Sequence, residues 1–177
     1  PMLANDETGY MTHYGSVALK DLVAKCAAKG LQLGVYDNPL WIHGPRETKI
    51  EGTDYTFGDL YYNKETDKDV WYPSNDDTWF HWVVASHPGA QEYIDGFFKH
   101  YSEMGVKFIR MDFLSWYEDG KDRSMGIVGH GYGRKDYALA MYYIATAAKK
   151  YGVFTSLVMP HMYNDAEVEA QYGNMVR

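Results

Sequence analysis

Three times along the chain, an amphipathic stretch at helical spacing ends at a glycine and a short apolar strand follows. The first helix is predicted from about Ser16, a capping residue, to Lys29, with Ala18, Leu19, Leu22, Val23, Cys26 and Ala27 on one face. Gly30 stops it and Leu31–Asp37 reads as a strand. The second opens at His87-Pro88, where a proline in the first turn costs no hydrogen bond. Its buried stripe is Ala90, Tyr93, Ile94, Phe97, Phe98, Tyr101 and Met104, and Gly105 leads into the strand Val106–Asp112. The third covers roughly Lys135 to Tyr151, with Tyr137, Met141, Ile144, Ala145 and Ala148 on one face, before Gly152 and the strand Val153–Met159. Gly30 to Asp37 and Gly105 to Asp112 are both offsets of seven, and the same offset from Gly152 reaches Met159. Helix, glycine, strand, repeated, predicts an α/β fold in which crossovers join parallel strands. Each strand then delivers its last residue to one shared carboxyl edge, where such folds keep their chemistry. Asp37 and Asp112 are two such residues.

Between the first strand and the second helix, about 38–86, lies an aromatic-rich segment with Trp41, Trp71, Trp79 and Trp82 and the turn formers Asn38-Pro39 and Gly44-Pro45. A connection of this length reads as a lid or a small inserted subdomain. Alternation at Tyr55–Phe57 and Asp69–Tyr72 predicts a hairpin within it. The chain carries 17 Tyr, 7 Phe and 5 Trp, too many polar-tipped rings for all to be hidden, and sugar rings stack on exposed aromatic platforms.

Composition narrows the function classes. A hydrophobic fraction of 46% rules out disorder as the main description, and no run approaches the ~20 apolar residues of a membrane span. A net charge of −7 argues against a nucleic-acid partner. One cysteine, Cys26, excludes an internal disulfide framework and a cysteine-based zinc site. The seven histidines contain neither His-x-His at a strand end nor His-Glu-x-x-His, so no metal ligand set is assigned. The opening Pro1–Asp6 shows neither a basic region nor an apolar core of a signal peptide.

Three stretches carry a resemblance to a known family. They are Lys29–Tyr36, then His87-Pro-Gly-Ala with Gly105–Asp112, and finally Gly173-Asn-Met-Val-Arg177. In order and spacing they are similar to the third strand, fourth strand and approach to the sixth strand of glycoside hydrolases of the α-galactosidase type (family 27 and its clan D relatives). The resemblance implies a parallel (β/α)8 TIM barrel, of which a chain this long holds about half, since a barrel takes ~250 residues. The remainder is expected from the same longer chain or from a partner chain, because half a barrel leaves open edges and an uncovered apolar face.

The activity implied is a retaining exo-glycosidase acting on terminal α-galactosyl-type linkages of a carbohydrate substrate through a covalent glycosyl–aspartate, with no cofactor. Such chemistry needs two carboxyl groups ~5–5.5 Å apart, one attacking the anomeric carbon and the other protonating the leaving oxygen. The resemblance makes Asp112 the nucleophile and puts the general acid a few residues beyond Arg177. Arg110, two residues before Asp112, shares its face of the strand and stands where the family usually has lysine, as a hydroxyl donor or as half of an ion pair with Asp112. Tyr36 and Asp37 are expected to flank the sugar, and Trp41 and Trp116 to stack on it or to pack in loops. His161 follows the fifth strand, near where the family senses the substituent at sugar carbon two; this chain has Val158 in place of the family's glutamate. Either His161 takes over that recognition or the preferred sugar is not galactose. Asp165 and Glu167 read as helix-start carboxylates, and Gly129–Arg134 as a flexible stretch near the site. Secretion or a periplasmic location is implied by the resemblance alone. The competing readings are a non-catalytic carbohydrate-binding barrel and a metal-dependent barrel hydrolase, since fold does not fix reaction.

Overall fold

A computed structural model describes residues 18–42, 45–60, 81–122, 126–127, 131–160 and 166–177. The first helix, α1 (Leu19–Ala27), starts later than its hydrophobic pattern suggests; Ser16 lies outside the described residues. Strand β1 (Gly34–Tyr36) follows. The segment after it forms β2 (Trp41–Ile42), a 3-10 turn (Phe57–Leu60) and β3 (His81–Trp82). Helix α2 (Ala90–Glu103) leads to β4 (Phe108–Met111), and the short helix α3 (Leu114–Asp119) comes directly after that strand. A two-stranded ribbon, β5 (Lys121–Asp122) with β6 (Gly126–Ile127), precedes α4 (Gly133–Tyr151). Strand β7 (Phe154–Leu157), helix α5 (Ala166–Ala170) and strand β8 (Met175–Val176) complete the chain.

Strands β1, β4, β7 and β8 form one sheet in that order, every pair parallel. Val35, Ile109, Met111, Thr155 and Leu157 on one face are buried beneath the helices. The other face carries Gly34, Phe108 and Phe154 in one row across β1, β4 and β7, and Tyr36, Arg110 and Ser156 in the next. Phe108 and Phe154 stack at 5.6 Å, and Gly34 makes room beside them: a Cβ there would meet Phe108 Cδ1 at 2.6 Å. Phe154 and Tyr36, each 44% exposed, leave this second face open among the described residues.

The predicted stripe of α2 is buried in full, from Ala90 to Met104. Each of its largest side chains contributes on the order of 2 kcal/mol on burial. In α4 the buried set is Tyr137, Ala140, Met141, Ile144, Ala147 and Ala148, so Ala140 and Ala147 join the predicted face and Ala145 is only half-buried. On α1 only Leu19 is fully buried, and Ala27 is exposed, so its predicted stripe is wider than the surface the helix has to cover. The three stopping glycines have φ of +72° (Gly30), +87° (Gly105) and +63° (Gly152), the left-handed conformation that side chains resist.

The segment 38–86 packs into the same core through Leu40, Ile42, Ile50, Phe57, Leu60, Trp82 and Val83. Within it β2 pairs antiparallel with β3, and Thr56 bridges to Lys49; 69–72, the second strand of the predicted hairpin, lie outside the described residues. The Tyr117 hydroxyl pins this segment to α3, donating to Val83 O (2.9 Å) and accepting the Ala85 N–H (3.0 Å). Burial pushes the Tyr117 phenol well above its ordinary pKa.

Candidate active site

Asp112 is the residue immediately after β4, partly exposed on the open side of the sheet's carboxyl edge. Its two carboxylate oxygens have different partners. Oδ1 accepts the N–H of Phe113 at 2.8 Å, and Oδ2 accepts the hydroxyl of Tyr36, across on β1, at 3.2 Å. The side chain of Asn38 donates to the Asp112 carbonyl at 2.8 Å. The carboxylate is thus oriented by one backbone and one side-chain donor from two strands, the placement a carboxylate nucleophile needs.

The backbone around it is strained. Phe113 has φ +60°, and Met159, at the corresponding place beyond β7, has φ +55°; these are the only non-glycine residues with positive φ among those described. Neither side chain is suited to that region, and such strain of about 1–3 kcal/mol per residue gathers at functional sites. Hydrogen bonds hold both turns. Ser115 N–H donates to Met159 O (2.7 Å), Met159 N–H to Arg177 O (3.1 Å) and Arg177 N–H to Leu157 O (2.9 Å). The carboxyl ends of β4, β7 and β8 are therefore joined directly.

Of the residues singled out in the sequence, Tyr36, Arg110, Asp112 and Arg177 stand at this edge. Arg110 lies in register between Tyr36 and Ser156, and its Nε is buried without a hydrogen-bond partner. No ion pair joins it to Asp112 among the described residues; the Tyr36 hydroxyl takes that carboxylate instead. Trp116 is partly buried and packs on Phe113 at 4.2 Å, next to the site. Trp41 is 9% exposed, held in β2 between Phe113 and Trp82, both at 6.1 Å. It therefore serves as packing behind the Phe113 turn and offers no open platform. His161 and Asp165 lie outside the described residues, as do positions 129 and 130 of the glycine-rich stretch.

Asp37 is turned away from the others. Strand alternation sends it toward the helices, where it is 2% exposed and accepts the Tyr101 hydroxyl of α2 (2.5 Å) and the Asn38 N–H (2.8 Å). Burial pushes its carboxyl up to about 6, against the lowering effect of those two hydrogen bonds. Two other carboxylates are also engaged elsewhere. Glu169 of α5, fully buried, binds Arg134 (2.8 Å) and the Tyr137 hydroxyl (2.7 Å), and Glu118 binds the same arginine at 3.3 Å. Glu167 is exposed on α5.

Sequence reasoning passed over Asn38 and Phe113 as parts of this edge, and Tyr101 as the partner of Asp37 behind it. Asn38 read only as a turn former, and a left-handed phenylalanine leaves no pattern in sequence. Among the described residues no three His, Cys, Asp or Glu side chains gather as a metal ion would require. Two clefts lie away from Asp112, one beside Tyr142, Phe154 and Tyr172 and the other between α2 and residues 48–52.

No protein-family profile matches the sequence. The isomalto-dextranase of Arthrobacter globiformis is 35% identical over 177 residues, which is 96% of this chain and 27% of that enzyme. The solved structure of an isomalto-dextranase from strain T6 of that species, complexed with panose, superposes with a TM-score of 0.77 at 34% identity, over 96% of this chain and 29% of that one. The chain is homologous to part of a glycoside hydrolase. A family 27 β-L-arabinopyranosidase from Geobacillus stearothermophilus shares the fold, with a TM-score of 0.64 at 20% identity over 100% of this chain and 39% of its own. The resemblance to the α-galactosidase type thus holds, and so does the α/β architecture of a TIM-barrel glycosidase. The chain spans less than a third of the isomalto-dextranase, consistent with a partial barrel.

Proposed function

We propose that this chain supplies the nucleophile side of the active site of a retaining α-glycosidase, with Asp112 as the nucleophile. The observation that carries this reading is the fixed carboxylate at the end of β4, its oxygens held by Tyr36 and the Phe113 N–H. A carboxylate oxygen of Asp112 attacks the anomeric carbon as the glycosidic C–O bond breaks. The bonding pair leaves on the glycosidic oxygen, which takes a proton from a general acid. Water then attacks the anomeric carbon of the glycosyl ester, passes its proton to the conjugate base of that acid and releases Asp112. Arg110, in the row with Tyr36, faces the position where sugar hydroxyls would lie, and its planar fork suits two adjacent hydroxyls better than a lysine would. The general acid and the remaining wall of the site come from the rest of the barrel.

The substrate class proposed is a dextran-type α-glucan. Arginine and valine stand at two positions where the resemblance expects lysine and glutamate, which argues against a galactosyl preference, and the relative at 35% identity is an isomalto-dextranase.

The complete polypeptide should be exposed to activated 2-deoxy-2-fluoro glucosides and galactosides, which trap glycosyl-enzymes, and its intact mass recorded. The expected result is an increase of one sugar residue with the gluco reagent, mapping to the peptide containing Asp112 and absent in Asp112→Asn. A label from the galacto reagent alone would return the substrate to the galactosyl class. No label from either would overturn the retaining mechanism and leave sugar binding as the role of this edge.

A further inference from the structure

We propose that Asn38 is a positioning residue for Asp112, its side-chain amide replacing a backbone donor that Pro39 cannot supply. The inference rests on the nucleophile reading of Asp112. In a parallel ladder the donors on one strand recur at every second residue. At the end of β1, Asp37 N–H donates to Arg110 O at 3.1 Å. The next donor in the series belongs to residue 39, and the next acceptor is the carbonyl of Asp112. Residue 39 is proline and has no N–H. The ladder does not end there: Asn38 Nδ2 reaches the Asp112 carbonyl at 2.8 Å.

Asn38 is built for this. It is fully buried. Its Oδ1 accepts the Leu40 N–H at 2.8 Å, which only the oxygen end of the amide can do, so the nitrogen end faces Asp112. Its own N–H donates to Asp37 Oδ1 (2.8 Å) and its carbonyl accepts the Trp41 N–H (3.0 Å). The group it holds is one end of the peptide unit between Asp112 and Phe113, and the other end is the N–H bound to Asp112 Oδ1. Because that unit is planar, fixing its carbonyl also fixes the N–H that orients the carboxylate. It lies just before a residue at φ +60°, where the chain has most to gain by rotating away.

The test uses the complete polypeptide and the 2-fluoro glycoside reagent. Asn38→Ala should lower the limiting trapping rate constant 10- to 100-fold and leave the reagent's half-saturation concentration within threefold. Asn38→Asp keeps the shape and the contact to Leu40, but an ionised carboxylate cannot donate to the Asp112 carbonyl, whereas a protonated one can. Its trapping rate relative to the unsubstituted protein should therefore rise at least fivefold as pH falls from 8 to 5. The ionisable neighbours are Asp37 and Tyr101 on the helix side and Asp112 and Tyr36 on the site side; Asp37 adjoins the new carboxylate and titrates in the same window, so the ratio is taken in an Asp37→Asn background, where both proteins lack it. Trapping by Asn38→Ala within twofold of the unsubstituted protein, or a ratio for Asn38→Asp that stays flat with pH, would overturn the proposal. If the unsubstituted protein takes no label, the nucleophile reading falls by itself. Hydrogen exchange of the peptide covering Phe113 then decides the positioning claim, with tenfold faster exchange in Asn38→Ala supporting it and unchanged exchange refuting it.

Discussion

Asp37 shows how little a residue's place in a motif says about its direction. Its neighbours Tyr36 and Asn38 both reach Asp112, yet Asp37 itself is buried beneath α2 with the Tyr101 hydroxyl. The seven-residue offset from glycine places each aspartate one residue past its strand, but the register pairs Tyr36 with Arg110, so Asp37 stands level with Met111 on the helix side while Asp112 lies one residue further along, on the open side. Its carboxyl, raised from 3.8 to about 6, makes the direction a measurable quantity. Between those two pH values the folded protein holds a proton that the unfolded chain has released, so stability falls as pH rises through that window. Above it the cost is fully present, on the order of 3 kcal/mol. Asp37→Asn removes the charge, keeps the Asn38 N–H bond through its amide oxygen, and reverses the other bond, its amide nitrogen donating to the Tyr101 oxygen. It should raise the urea midpoint at pH 7.5 and lose that advantage at pH 4. Tyr36→Phe removes the one side-chain donor to the Asp112 carboxylate among the described residues and should slow trapping about tenfold, the effect of one hydrogen bond to a charged group.

At the scale of elements, the helices, the strands and their order were legible because each rests on a local cause. Hydrophobic spacing gave α2 and α4, and the left-handed glycines gave the stops. Gly105→Ala tests that cause: it forces a side chain to φ +87° and sets a Cβ 2.9 Å from Val23 Cγ1 of α1. A loss of about 2 kcal/mol is expected, read as a lower denaturation midpoint at unchanged slope. Helix α3 was not legible, since Leu114–Asp119 is too short for periodicity and is held by tertiary hydrogen bonds to Val158 and Met159. The same holds for the anchor of α5. Glu169 drew no notice in the sequence, yet it is buried against Arg134 and Tyr137. Arg134→Met would strand that carboxylate with a single neutral donor, and a loss on the order of 3 kcal/mol is expected by chemical denaturation.

For the molecule as a whole, the sequence conveyed the class of fold and the location of one carboxylate, and left out whatever depends on contacts far apart in the chain. The pairing of Trp41 with Trp82, for example, has no local signature. The open face of the sheet leads to a further expectation. Expressed alone, the 177 residues should fail to turn over any glycoside and should self-associate through the face bearing Tyr36, Phe108 and Phe154, as sedimentation would report. The complete polypeptide should remain discrete. The bonds from Ser115 to Met159 and from Met159 to Arg177 have a consequence of another kind. They make the turns after β4 and β7 and the end of β8 into a single belt, so none can drift by itself as its sequence changes. Variation that would ordinarily retune one loop at a time is coupled here, and a new sugar preference would have to be acquired in the upper parts of the loops, above the belt.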